Sequence, residues 1–234
     1  MQGQRFQLVI EGRAGAVEVD AELAALMATD QGLRGSIEAA QGYLALATRE
    51  ATSVSAHRRS AFQLRLAILR LSLARQRSDL PAVVEETQAL LALAEAPDTA
   101  QLGLGDQLRA LALISLGAAQ LWTARLDEAE RHLARGLALA HRIERPFLEI
   151  AGLGPWAMVA AIRSSFTLAA QRSRQAIELA RRHGWAEEPT VAVAYAVQAY
   201  AMGGQGRLDF RPAGLRYDLE APLSRVRAGP TPAP

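Results

Sequence analysis

"RLDEAERHLARGLALA", residues 125–140, decides how the chain is read. Counting from Leu126, a small residue follows at Ala129, a larger apolar one at Leu133, then Gly136 and Leu137. Steps of three and four place all of them on one face of a helix. The same frame fits "SIEAAQGYLALA" through Ile37, Ala40, Leu44 and Ala47. It fits "SFTLAAQRSRQAI" through Phe166, Ala169, Ala176 and Ile177, with Ser173 in the larger slot. A looser copy runs through Leu80, Val83 and Leu90, and "GRLD" opens an incomplete one at Leu208. The markers at 37, 80, 126, 166 and 208 are separated by 43, 46, 40 and 42 residues. A period of this size indicates stacked units that share a continuous core.

A second apolar helix precedes the clearest markers. Before Leu126 it carries a stripe of Leu113, Leu116, Gly117 and Gln120, and before Leu80 a stripe of Leu64, Ala67, Leu71 and Ala74. Small residues at contact positions let two helices approach closely while leucines fill the gaps between units. Ser36, Asp79 and Ser165 stand just ahead of their markers, where a side-chain oxygen can cap the second helix. Arg125 and Arg207 occupy that place in the other copies, where Asp127 and Asp209 supply first-turn negative charge. The expected architecture is therefore all-α, a right-handed α-solenoid of four helical hairpins and a truncated fifth. Residues 1–19 match no unit and are expected to be loosely ordered; residues 20–209 form the repeat domain. After Leu208, prolines at 212, 222, 230, 232 and 234 argue for a disordered tail over 210–234.

Composition agrees with helices. Half of the residues are apolar but only 5% are aromatic, so Ala and Leu carry the apolar total. A net charge of +2 from 26 basic and 24 acidic residues gives no basic surface of the kind nucleic acid demands. The absence of cysteine removes disulfides and thiolate metal sites and fits a reducing compartment. Neither a secretory signal nor a run of ~20 apolar residues is visible, so the chain reads as cytoplasmic, without a membrane partner.

The small-residue frame, with Gly117, Ala129 and Gly136 in its best copy, looks like a tetratricopeptide repeat with a period above the usual ~34 residues. "LRALALISLGAAQLWTARLDEAERHLARGLALAHRIERPFLEIAGLG" and "AIELARRHGWAEEP" resemble the helical-repeat region of large ATP-dependent LuxR-type, maltose-regulator-like activators, over roughly residues 20–209. That family carries an ATPase module and a helix-turn-helix domain, and neither matches residues here. A P-loop needs a lysine on the phosphates, and the sequence has none. The resemblance thus implies only the middle part: ligand sensing or protein contact, with direct DNA binding disfavoured.

Candidate chemistry is sparse. His132 and His141 are nine apart on one expected helix, which does not bring both toward one metal, and all four histidines read as surface or hairpin-end residues. "GLG" at 103–105 reads as a loop between hairpins, and "GLG" at 152–154, ahead of Pro155, as a bend or helix start. Glu85–Glu86 and Glu187–Glu188 point about 100° apart on a helix, which does not suit a shared acid–base task. Neither a catalytic residue, a cofactor nor a metal site is expected. In the tetratricopeptide frame the concave groove takes Arg65, Ser72, Arg75, Gln76, Trp122, Met158 and Tyr200, while Trp156 falls at a packing position. Aromatic residues and arginines in a groove anchor bound peptides or ligands; Trp122 and Tyr200 equally suit gap-filling between helices. The expected partner is a protein, a peptide or a small-molecule inducer. The alternative is an arginine-mediated nucleic-acid binder, through groups such as Arg58–Arg59 and Arg181–Arg182.

Overall fold

The computed structural model describes residues 20–97, 103–201, 203, 205–211 and 214–220. Its helices are α1 (Ala21–Leu33), α2 (Ile37–Arg49), α3 (Ala56–Gln76), α4 (Leu80–Ala94), α5 (Gly105–Trp122), α6 (Leu126–Arg142), α7 (Pro146–Ile162), α8 (Phe166–Arg182) and α9 (Ala192–Ala201). The markers Ile37, Leu80, Leu126 and Phe166 are the first residues of α2, α4, α6 and α8. Each helix packs on the next, and α1 also meets α3, α5 meets α7 and α7 meets α9. The chain from Ala21 to Ala201 is a succession of helical hairpins.

The turns explain the period. Within each hairpin, three residues join the helices, and the middle one is left-handed: Gly35, Ser78, Ala124 and Ser164, with φ between +56° and +77°. At each, that residue's N–H bonds the carbonyl three back, and the next N–H bonds the carbonyl five back, as in Arg125 N to Gln120 O at 2.9 Å. This double bond is a Schellman ending, which satisfies the last carbonyls of the first helix. The same turn recurs between hairpins at Glu144. Two seventeen-residue helices and two three-residue turns make up the 40-residue spacing from Leu126 to Phe166. Longer helices, not looser joints, set the period there. Elsewhere the 21-residue α3 and the connections before α3 and α5 lengthen it.

Capping follows the residue types in part. Asp79 accepts from the Ala82 amide at 3.2 Å, whereas Ser36 and Ser165 make no side-chain cap. The second helices bury one column: Ala40, Ala129 and Ala169 three residues into the frame, and Ala140 and Ala180 further on, all fully buried. Leu133 fills the larger slot in α6. Ser173 stands there in α8 and uses its hydroxyl to reach Gln198 of α9 at 2.6 Å, so a polar link replaces a leucine contact.

Two expectations are corrected. "GLG" at 152–154 does not start a helix; it lies inside α7, whose first residue is Pro146. A methyl group on Gly152 would fall 2.9 Å from Leu137 Cδ2, so glycine is there for close packing on α6. The fifth unit does not continue as a helix at Leu208. After α9, residues Gln205–Arg211 (β1) and Gly214–Glu220 (β2) pair as an antiparallel hairpin with Leu208 opposite Tyr217. Leu208, Phe210, Leu215, Tyr217 and Leu219 alternate with charged residues, a period of two that suits strands, and Pro212 sits between them. The expected tail thus begins within paired strands. The expectations for residues 1–19 and 221–234 lie outside the described residues.

Candidate functional site

The groove residues separate into two groups. Arg65, Ser72, Arg75 and Gln76 all lie on α3; Arg65, Arg75 and Gln76 are exposed, and Ser72 is half-buried. Gln76 Nε2 donates to Ser72 Oγ at 3.5 Å. Ile68, 38% exposed, joins Arg65 and Ser72 at helical spacing, and the sequence reading did not single it out. Trp122, Met158 and Tyr200 come instead to one apolar cluster, spanning α5 to α9. Met158 is only 5% exposed, which corrects its assignment to a groove: it is core. Trp122 and Tyr200 are half-buried against that cluster, and Tyr200 meets the Phe166 ring edge-on at 5.7 Å. Gap-filling between helices describes both.

A polar cluster between α6, α7 and α8 holds the most constrained side chains. The Arg172 guanidinium lies 3.5 Å from the centre of the Trp156 ring, and its Nη1 donates to the Trp156 carbonyl at 3.1 Å. Its Nη2 lies 3.7 Å from Glu130, which Arg163 also meets at 3.3 Å; Arg163 pairs with Asp127 as well. Arg172 is 8% exposed, so burial pushes its pKa below the ordinary guanidinium value and Glu130 pulls it back. Two donors there, Arg172 Nε and Trp156 Nε1, are buried without a hydrogen-bond partner. Trp156 is thus the packing residue the frame expected. Glu130 and Arg172 stand one unit apart in sequence, and no local spacing announces their meeting.

Histidine placement differs from expectation at one position. His57, His141 and His183 are exposed, but His132 is half-buried and its Nδ1 donates to the buried Gln120 Oε1 at 2.7 Å. Burial lowers the His132 pKa from the ordinary imidazole value; Arg135 and Arg131 add to this, and Glu128 opposes it. His183 stacks on Trp185 at 4.8 Å, and Phe147 meets Trp185 edge-on at 5.7 Å, forming an aromatic group at the opposite ends of the same helices. Of the paired acids, Glu86 has its pKa raised by burial first and by Glu85 last, with Arg70 opposing. Arg70 also donates to Thr48 Oγ1 at 3.2 Å, beside an open depression of about 480 Å³ between α2 and α3.

Among the described residues, no group of three or more His, Asp or Glu side chains is placed to hold a metal ion, and no helix is long and apolar enough to cross a membrane. The architecture defines a class: consecutive helical hairpins joined by repeated left-handed turns. No family model, no curated protein and no solved structure matches the chain.

Proposed function

We propose that the chain is a non-catalytic binding module, a right-handed tetratricopeptide-like α-solenoid of the kind found in LuxR-type transcriptional regulators. It would contact a protein segment, a peptide or a small-molecule inducer in a cytoplasmic signalling setting. The observation that carries this reading is the exposed face of α3. Arg65, Ile68, Ser72 and Gln76 recur on it at spacings of three and four, combining charge, apolar surface and amide on one rigid rod. Such a face recognises an extended segment or a helix by side-chain complementarity and needs no reacting group.

Selection of a displayed random-peptide library on the full chain tests this. Enriched peptides should lose at least tenfold in affinity on Arg65→Glu and on Gln76→Ala. Peptides that bind both variants as well as the parent would count against the α3 face. Nucleic-acid binding through arginines is the second reading, supported by the exposed Arg181–Arg182 pair. It predicts duplex-DNA affinity that falls steeply with salt. Absence of binding at about 50 mM salt removes it.

A further inference from the structure

The hairpins can be compared place by place, counting back from the left-handed turn in the first helices and forward from the marker in the second ones. Eight residues ahead of the turn stand Arg70 in α3, Leu116 in α5 and Trp156 in α7. Four residues past the marker stand Gln41 in α2 and Glu130 in α6; six past it stand Glu86 in α4 and Arg172 in α8. Around α7 these places are filled by the chain itself, since Arg172 lies over Trp156 and reaches Glu130 of the preceding second helix. Two turns further along α6, Leu137 closes on Gly152 of α7.

Around α3 the same places hold Gln41, Arg70 and Glu86, and Thr48 stands where α6 has Leu137. A guanidinium and a hydroxyl thus replace two packing residues, and Leu66 replaces the glycine that lets α7 approach. The connection is longer as well: six residues, including the short turn Ala51–Ser53, join α2 to α3, against three between α6 and α7. The junction is left with an open depression of about 480 Å³, lined by Gln41, Leu44, Ala45, Thr48, Arg49 and Arg70. That volume lies within the range of about 300–1,000 Å³ that takes a small ligand.

The polar lining suits an anion. Arg70 Nη2 donates to Thr48 Oγ1 at 3.2 Å, and that hydroxyl donates to the Leu44 carbonyl at 2.8 Å, so α2 orients the guanidinium in advance. Arg49 is anchored through Nε to Glu50 at 2.9 Å. Glu86, the acid whose charge bears on Arg70, belongs to α4 and does not line the depression. A planar guanidinium grips a carboxylate or phosphate through paired hydrogen bonds. Leu44 and Ala45 add an apolar floor.

We propose that this depression binds a small organic anion, its carboxylate or phosphate on Arg70 and Arg49 and its apolar body on Leu44 and Ala45. Arg70 and Ser72 stand about 160° apart around α3, so the site lies on the other side of that helix from the face proposed for peptide contact. Either assignment can fail alone.

Chemical-shift titration of the isotope-labelled full chain with benzoate, phenyl phosphate, inorganic phosphate and the neutral benzamide tests it. Benzoate, phenyl phosphate or both should bind, shifting amides of α2 and α3. Benzamide and inorganic phosphate, each lacking one half of the recognition, should bind at least fivefold more weakly than the tighter organic anion. Arg70→Gln should weaken that anion at least fivefold. Ala45→Glu should do the same with helical circular dichroism unchanged; its site is exposed, which guards against a folding defect. Arg65→Glu, on the other side of α3, should leave binding within twofold. No binding of either organic anion up to about 10 mM, the weakest affinity expected for ligands of this size, would overturn the proposal. So would benzamide or inorganic phosphate binding as tightly, binding that survives Ala45→Glu, or an equal loss on Arg65→Glu.

Discussion

A methyl group placed on Gly117 would stand 2.6 Å from Leu133 Cγ and 3.1 Å from the Ala129 carbonyl oxygen. Helices α5 and α6 touch there at backbone distance, and the contact is possible because one partner has no side chain. Gly136 answers it from α6, where a methyl would lie 2.8 Å from Ile114 Cγ1.

Gly117→Ala should therefore destabilise the fold, although alanine is the better helix former by about 1 kcal/mol. Overpacking costs about 1–3 kcal/mol, and Leu133 is fully buried with nowhere to retreat. The control is Gly42→Ala in α2, where an added methyl meets nothing within 4 Å. That variant should gain up to about 1 kcal/mol. Urea unfolding of the two side by side measures the difference in sign.

The left-handed turns make a second prediction. Ala124 holds φ at +59° at the turn between α5 and α6, a conformation that costs a residue with a Cβ roughly 1–2 kcal/mol. Ala124→Gly should raise stability by about 0.5–1 kcal/mol after the entropy of glycine in the unfolded chain is subtracted. Gly35→Ala, at φ +77°, should lower it by a similar amount. Thermal melts of both variants check the equivalence of the two turns.

Arg172 and Glu130 should behave asymmetrically. Glu130→Ala removes the carboxylate nearest a buried guanidinium and should cost about 1–2 kcal/mol, less than for a fully buried pair because Glu130 is 35% exposed. Arg172→Met keeps the packing over Trp156 and removes the charge and its orphaned Nε, so it should be nearly neutral. Denaturant unfolding distinguishes the two. Equal losses would mean that the ion pair itself, not the burial of one charge, dominates.

His132 gives a pH dependence with a definite sign. Its folded-state pKa lies below the unfolded value, so the unfolded chain binds more protons. The neutral imidazole carries the full stability above the ordinary histidine pKa of about 6.5; stability falls as pH drops below that point toward the lower folded value. His132→Gln should flatten this part of the profile relative to the parent. Melting temperatures of the two proteins between pH 7.5 and 5 measure it, and parallel curves would show that His132 is not the group responsible.

Much of this architecture was written in the spacing. Leu126, Ala129 and Leu133 announce an amphipathic second helix because a fixed period of three and four leaves one face to bury, and their counterparts elsewhere begin or line the same helices. The hairpin at 205–220 was hidden because Leu208 falls one period after Phe166, and that coincidence outweighed the alternation of two around it. Met158 was misplaced because α7 buries the whole run from Ala157 to Ala161, so a groove position taken from the repeat frame is not open there. The Arg172–Trp156 cluster was not legible, since it depends on which side chains meet across a boundary between units.

Stepwise truncation tests the central claim most directly, because in a row of hairpins each unit leans only on its neighbours. A chain ending at Arg145 keeps α1 to α6 and stops at a natural turn. The account predicts that it retains the helical circular dichroism expected for those helices and unfolds cooperatively in urea at a lower midpoint than the parent. Loss of most of that helical signal, or unfolding without a cooperative transition, would show a single closed core instead and contradict the account.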